Sequence, residues 1–163
     1  MNRTRKLTTM AVFVAIGLIG SQFLWFPSVI ARAYPVQHAV NVIAALGPGP
    51  AVGIAFIIGL LRVLLGIGSL LAFPGGMIGA FLAGYLYNKF HKNGWAAVGE
   101  IIGTGIIASL FSVPFAKPLM GSSVGALFYM PSFLVSSISG SLIGWLTVTK
   151  VKKAPGLKYI REQ

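Results

Sequence analysis

Three polar side chains lie close together in one short apolar segment and could form hydrogen bonds to a ligand. They are Gln37, His38 and Asn41. His38 and Asn41 are three residues apart, so on a helix they share one face. Amide and imidazole groups offer both hydrogen-bond donors and acceptors, which suits a small polar ligand. The alternative is that His38 reaches into a layer of lipid headgroups, and both interpretations stay open.

Arg62 and Glu100 are the two charged residues that stand alone in apolar surroundings. Charged groups inside a membrane are costly and are functional candidates by default. Counted along the predicted helices, Arg62 lies roughly 16 Å and Glu100 roughly 8 Å from the same end, a difference that long side chains can bridge. We expect a structural ion pair between them rather than contact of Glu100 with a ligand. Arg62 facing an outer cavity and a protonated, hydrogen-bonded Glu100 are the alternatives.

Aromatic rings and hydroxyls form a third group near the predicted outer rim. This group contains Trp25, Phe26, Tyr34, Phe73, Ser109, Ser112, Tyr129 and Ser132. Rings with a few hydroxyls suit a flat heteroaromatic ligand, although an aromatic belt at the membrane interface explains some of them. From all three groups we select one set of candidate substrate-binding residues. The set is Gln37, His38, Asn41, Arg62, Phe73, Ser112 and Tyr129.

Several kinds of chemistry are excluded by what the sequence lacks. It has no G-x-x-x-x-G-K-[ST] run, so it cannot hydrolyse ATP through a P-loop. It has no cysteine, no aspartate, no H-E-x-x-H motif and no Ser-His-Asp set. We therefore expect no enzyme activity, no metal and no cofactor. The chain looks able to bind a ligand but not to energise its own transport.

The balance of charged residues shows whether the surface of the chain faces water or lipid. Thirteen Lys and Arg stand against two acidic residues, and 56% of residues are hydrophobic while 9% are charged. Soluble domains carry about a quarter charged residues, so this surface must face lipid. The net charge of +11 does not indicate a nucleic-acid binder, because the cations cluster at the ends of apolar segments.

Six apolar segments must position the candidate residues. We predict an all-α integral membrane protein, a single domain over residues 1–163, with a basic cytoplasmic tail at 149–163. The predicted transmembrane helices are residues 7–26, 34–46, 51–66, 73–87, 95–115 and 124–148. Six spans put both termini on one side. With that side cytoplasmic, ten cations lie inside and two outside, as the positive-inside rule requires.

Two features of these segments need comment. The second and third are short and are separated by Gly47-Pro48-Gly49-Pro50, and short interrupted spans point to a transporter cavity. The first segment, with Ala31-Arg32-Ala33 after it, could instead be a cleaved signal peptide. Its apolar run exceeds the usual length for a signal peptide, so we favour an uncleaved helix.

Small residues four apart recur along the segments and predict close helix packing. The pairs are Ala11 and Ala15, Gly75 and Gly79, Gly79 and Ala83, Gly99 and Gly103, and Gly140 and Gly144. We interpret most of them as packing within the bundle. Ala11 and Ala15 lie on the cytoplasmic half of the first helix and are a candidate docking face for another membrane subunit.

Four stretches of the sequence resemble one known family. They are Pro35–Ile43 (PVQHAVNVI), residues 55–62, Leu70–Ala80 (LLAFPGGMIGA) and Gly99–Gly105 (GEIIGTG). Together they resemble the ThiW family, predicted substrate-binding S components of energy-coupling factor (ECF) transporters. The resemblance covers nearly the whole chain. One departure is the turn before Gly47-Pro48, which is shorter than we expect for the family and shortens the second helix.

The resemblance implies an S-component bundle in the bacterial cell membrane, with a binding site near the outer face. The implied substrate is hydroxyethylthiazole, the thiazole precursor of thiamine. The implied partners are a transmembrane coupling protein and two ATP-binding-cassette ATPases. The family's A-x-x-x-A docking motif matches Ala11 and Ala15. The alternatives are an S component for another small vitamin or heteroaromatic precursor, a non-transporting membrane interaction protein, and a self-sufficient channel or carrier.

Overall fold

The computed structural model describes residues 3–28, 32–44, 47–121 and 125–153, and nearly all of them are helical. A π-helical stretch, Ile101–Ala108, joins two of the helices and is called the π segment below. The helices are α1 (Arg3–Phe23), α2 (Pro35–Ile43), α3 (Pro48–Leu64), α4 (Ala72–Phe90), α5 (Asn93–Glu100), α6 (Ser109–Met120) and α7 (Ala126–Lys153).

Within the described part of the chain, three helical stretches are long and apolar enough to cross a membrane, which agrees with the predicted all-α membrane class. They are Arg3–Phe23, Asn93–Pro114 and Leu127–Val151, while Pro48–Leu64 is a shorter apolar helix. Many large apolar side chains on these helices are exposed, among them Val12, Ile16 and Ile19 of α1. A surface of this kind fits lipid rather than water, because soluble proteins rarely expose large contiguous apolar patches.

The second helix is shorter than the predicted span 34–46. It begins with Pro35 in its first turn, ends at Ile43 and is followed by a turn at Ala44. Residues 45 and 46 lie outside the described part of the chain. Gly47 then adopts a φ of 114°, which favours glycine, and Pro48 begins α3 three residues before the predicted start.

The fifth predicted span, 95–115, is part of a longer helical rod. The rod comprises α5, the π segment and α6, and runs without a break from Asn93 to Met120. The sequence did not predict the π segment. A π turn is rare and often marks a functional position, and this one begins directly after Glu100.

The ends of the first and last predicted spans also differ from the structure. Helix α1 stops at Phe23, and Phe26, which we predicted as helical, forms a short antiparallel hairpin: Phe26–Pro27 (β1) pairs with Arg32–Ala33 (β2). At the other end α7 continues to Lys153, so the predicted tail begins as helix. Residues 154–163 lie outside the described residues.

Glycines allow α4 and the α5–π rod to touch through their backbones. A Cβ added at Gly99 would lie 2.6 Å from the carbonyl oxygen of Leu82, and one at Gly103 would lie 2.8 Å from Cα of Gly79. Gly144 of α7 is equally close to the backbone of Ala39 in α2. The small-residue spacing predicted this packing, in which close backbone approach replaces the hydrophobic drive that lipid does not supply.

Gly99→Ala should therefore lower the free energy of unfolding by about 1–3 kcal/mol, because backbone atoms of α4 cannot move aside as a side chain could. Gly94→Ala, on the same helix, is the matched control, since its added Cβ would meet only Trp145 at 3.9 Å. Thermal unfolding in detergent would measure both variants. Equal stability of the two variants would contradict the close-packing assignment.

Candidate functional site

A buried carboxylate connects three elements of the bundle. Glu100 is fully buried, and its Oε1 lies 2.7 Å from His38 Nδ1 and 3.1 Å from Asn41 Nδ2. The hydroxyl of Thr104 is 2.9 Å from the same oxygen and 2.9 Å from the carbonyl oxygen of Gly75. We call Glu100, His38, Asn41 and Thr104 the Glu100 cluster. It links α2, the end of α5 and the π segment.

Local sequence explains how the carboxylate is accommodated. His38 and Asn41 share one face of α2, as their three-residue spacing predicts, and Thr104 follows Glu100 by four residues on the rod. Gly79 of α4 lies opposite, and a Cβ there would be 2.7 Å from Oε1 and 2.8 Å from Oε2. Any larger residue would occupy the volume of the carboxylate. The glycine therefore creates the space that Glu100 fills.

The hydrogen bond to Glu100 orients the imidazole of His38. Nδ1 serves the carboxylate, so Nε2 is the nitrogen that remains for another partner. A ring nitrogen's role is set by the bond that the other nitrogen makes. With Nδ1–H donated to an ionised Glu100, neutral His38 presents Nε2 as an acceptor, and protonated His38 presents it as a donor.

The expected ion pair between Arg62 and Glu100 is wrong. Arg62 lies in the last turn of α3, fourteen residues beyond Pro48 and so about 21 Å along the axis. Glu100 is seven residues beyond Asn93, about 10 Å along α5. Both helices begin earlier than predicted, α3 by three residues and α5 by two, so the difference in depth stays close to the prediction. His38 and Gln37, which are consecutive on α2, partner the two charges separately.

Arg62 is instead held by neutral groups. It is 3% exposed, its Nη1 donates to Gln37 Oε1, and its guanidinium carbon lies 3.6 Å from the ring centroid of Tyr34. Tyr34 is fixed in turn, since its hydroxyl donates to the carbonyl of Ile67 at 2.6 Å and its backbone N–H donates to Ser136 Oγ at 2.9 Å. Nε of Arg62 is buried without a hydrogen-bond partner among the described residues.

A cavity of about 360 Å³ lies beside these groups. Gln37 and His38 of α2, Arg62 of α3, and Tyr129 of α7 line it. Its remaining wall comes from Arg32, Tyr34, Gly66, Ile67, Gly68, Ser69, Leu71, Ala72, Gly75, Gly76, Ser132, Phe133 and Ser136. Its volume is at the lower end of the range of about 300–1,000 Å³ for small-molecule sites.

The hairpin between α1 and α2 contributes to one end of the cavity. Arg32 of β2 lines the wall, and its guanidinium lies 4.1 Å from the ring centroid of Trp25. Ser28, which follows β1, is 2.8 Å from the hydroxyl of Ser132 on α7. These contacts tie the α1–α2 connection to the wall that α7 supplies.

The structure brings together four of the seven candidate substrate-binding residues. Gln37, His38, Arg62 and Tyr129 line the cavity, whereas Asn41, Phe73 and Ser112 do not. Asn41 belongs to the Glu100 cluster. The ring of Phe73 packs at 5.6 Å from that of Phe56, and Ser112 donates to the carbonyl of Ala108 within its own helix.

Sequence reasoning missed Thr104, Arg32 and Ser136. Thr104 could have been found, because it follows a buried acid by one helical turn. Arg32 was assigned only to orientation of the chain, since the sequence gives no sign of a hairpin that directs it inward. Helix α7 carries several serines, and only the rotation of the helix shows that Ser136 is the one that bonds Tyr34.

Glu100→Ala should lower the free energy of unfolding by about 3–5 kcal/mol, because the donors of α2 and the π segment would lose their shared acceptor. Glu100→Gln keeps an acceptor oxygen and should lose less. Thermal unfolding of the purified variants in detergent would measure both. If Glu100→Ala were as stable as the wild type, the cluster would not hold the bundle together.

Comparison with known proteins identifies the family. The ThiW family, described as thiamine-precursor transporter protein, matches residues 7–154 of the 163. No curated protein matches the chain. The match includes all the helices around the cavity. A transporter family is not an enzyme class, in keeping with an apolar helical bundle that carries a polar cavity. The chain therefore belongs to the ThiW family and is a component of a thiamine-precursor transporter.

Proposed function

We propose that this chain is the substrate-capture S component of an ECF transporter and that it binds hydroxyethylthiazole. Capture takes place at an outward-facing site. ATP hydrolysis by partner subunits then drives the reorientation that delivers the ligand inward. The proposal refines the family's role in the transport of thiamine precursors to one subunit and one ligand.

The observation that carries the proposal is the convergence of polar and aromatic side chains on one cavity. Gln37, His38, Arg62 and Tyr129 come from three different helices and line the same space of about 360 Å³. Predominantly apolar cavities with a few convergent polar groups are the usual form of small-molecule sites. A single-ring compound with a short hydroxylated arm suits a cavity of this size and chemistry.

Each of these residues has a role in the proposed complex. His38, oriented by Glu100, hydrogen-bonds the ring nitrogen or the hydroxyl of the ligand through Nε2. Tyr129 stacks on the ring. Gln37 and Arg62 hold one another and present their remaining donors to the ligand's oxygen. Asn41 acts indirectly, through the Glu100 cluster.

The proposed topology has six crossings and both termini in the cytoplasm. The short α2 together with the residues that flank it counts as one crossing, and the α5–π–α6 rod counts as another. The cations then face inward at the start of α1, between α4 and α5, and at the end of α7. In this orientation α1 runs outward and the hairpin lies at the outer end. Arg62, near the end of α3, and the cavity lie on that side too.

The energy source lies in other subunits. The chain has no P-loop, and the proposed partners are a transmembrane coupling protein and two ATP-binding-cassette ATPases in the bacterial cell membrane. Ala11 and Ala15 are exposed on α1, so their small side chains leave a shallow face for the coupling protein.

Leucine at both Ala11 and Ala15 would fill that face and block co-purification of the partners. Unchanged co-purification would show that this face of α1 is not part of the interface.

His38→Ala should weaken hydroxyethylthiazole binding by about 1–3 kcal/mol, the cost of a lost buried hydrogen-bond partner. Ser112→Ala is the matched control, because Ser112 is buried but bonds within its own helix and does not line the cavity. Calorimetry of the purified chain in detergent would measure both affinities. Equal affinities of the two variants would remove His38 from the site.

A panel of other vitamins and heteroaromatic precursors in the same experiment tests the substrate. Tight binding of another compound, with no heat from hydroxyethylthiazole, would assign the chain to an S component for that compound. Absence of binding by every compound would favour a membrane interaction protein without transport function.

A further inference from the structure

We propose that the cavity selects an aromatic-ring ligand that carries no positive charge and that offers an oxygen acceptor to Arg62. This inference rests on the proposed function and narrows its substrate class. It predicts that the site rejects ring cations, including a thiazole whose nitrogen is quaternised, as it is in thiamine. Both the ligand class and the rejection of cations follow from the charges and hydrogen-bond donors of the cavity wall.

The wall carries cations without a carboxylate to balance them. Arg32 and Arg62 both line the cavity, and no acidic side chain does so among the described residues. Glu100 is the single acidic residue that the described part of the chain contains. It is fully buried behind His38, and its Oε1 is already engaged by the Glu100 cluster. A ligand cation would therefore meet two guanidinium groups and no free carboxylate.

Arg62 is left with donor capacity that the protein does not use. A guanidinium has five N–H groups and is always charged. Arg62 is 3% exposed, its described partners are the neutral Gln37 and the Tyr34 ring, and its Nε is buried without a hydrogen-bond partner among the described residues. A buried charge with unmet donors is costly unless it is paired. Nε itself is closed off from the cavity, but Arg62 lines the cavity wall, so an acceptor oxygen on the ligand would pair with an accessible N–H group of the guanidinium.

The neutral polar groups of the cavity point to the same ligand chemistry. The Oε1 of Gln37 is occupied by Arg62, which leaves its amide N–H groups as donors. The hydroxyl of Tyr34 donates to Ile67 and so is not directed at a ligand. Arg62 and Gln37 therefore offer donors at the cavity wall, and a ligand with an acceptor oxygen complements them better than one with a positive charge.

The test compares derivatives of one ring that differ in charge. N-methylation also adds a methyl group and removes the lone pair of the ring nitrogen, so the arginine variants described below are needed to assign the effect to charge. The probes are hydroxyethylthiazole, its phosphate monoester and its N-methylated thiazolium form, with matched neutral, anionic and cationic derivatives of imidazole and pyrimidine. Calorimetry of the purified full chain would give the affinities. We expect the N-methylated cation to bind at least about 10-fold more weakly than the neutral or the anionic form of the same ring.

Substitutions of the two arginines test whether their guanidinium groups cause the selectivity against cations. Arg62→Gln should weaken binding of the neutral or anionic form by about 10- to 100-fold and reduce the selectivity against the cation. Arg62→Lys keeps the charge and should keep the selectivity. Arg32→Gln tests the second cation at an exposed position, where folding is not at risk. Lys117→Gln, which removes an exposed cation outside the cavity, is the control.

The outcomes separate this inference from the proposed function. If thiazoles fail to bind but another ring binds in its neutral or anionic form alone, the substrate assignment is wrong and the charge selectivity stands. If hydroxyethylthiazole and its N-methylated cation bind equally well, the function stands and the selectivity is overturned. Failure of every probe to bind would overturn both. Selectivity that is unchanged in both Arg62→Gln and Arg32→Gln would also overturn the inference.

Discussion

The structure depends on the burial of one carboxylate in a bundle that is otherwise apolar. A buried charge is costly unless hydrogen bonds satisfy it. The donors to Oε1 of Glu100 come from α2 and the π segment, while Oε2 is buried without a hydrogen-bond partner among the described residues. Helix α2 has nine residues, too few to cross a membrane by itself. Its polar face is anchored by the carboxylate at Glu100. The Glu100 cluster thereby fixes both the rotation and the depth of α2.

The binding surface follows from that anchor. Gln37 and His38 are consecutive on α2, yet they serve different charges: His38 meets Glu100, and Gln37 meets Arg62. Helix α2 therefore separates the acidic Glu100 from the basic Arg62, so that the two charges do not neutralise each other. The separation leaves Arg62 at the cavity wall with donors to spare. A direct Arg62–Glu100 pair would have neutralised the positive charge at the cavity wall.

Close packing makes this arrangement possible. Gly79 leaves room for the carboxylate of Glu100, and Gly99 and Gly103 bring the rod against the backbone of α4. On α7, Gly144 lies against the backbone of Ala39 in α2. Larger residues at these positions would move α2 or the rod by ångströms. Such a shift would break the hydrogen bonds to Glu100, which tolerate only a few tenths of an ångström.

The sequence predicted what depends on local pattern. Hydropathy and the Gly-Pro breaks gave the helices, and the spacing of His38 and Asn41 gave their common face. The sequence did not predict the hydrogen-bond partners of Arg62 and Glu100. Those partners depend on the depth and rotation of the helices, which are set by packing between residues far apart in the chain. Helix α2 supplies a separate partner for each charge, His38 for Glu100 and Gln37 for Arg62, and depths counted along single helices could not show this. Phe73 and Ser112 lie outside the cavity wall for the same reason, since residue type does not reveal which way a helix turns.

We propose that this chain captures the ligand alone and that other subunits supply the energy. The decisive experiment is equilibrium binding of labelled hydroxyethylthiazole to the purified chain, without ATP or any other subunit. We expect saturable binding of one ligand per chain and no uptake into vesicles that contain the chain alone. Binding that requires the ATPase subunits, or uptake by the chain alone, would contradict it.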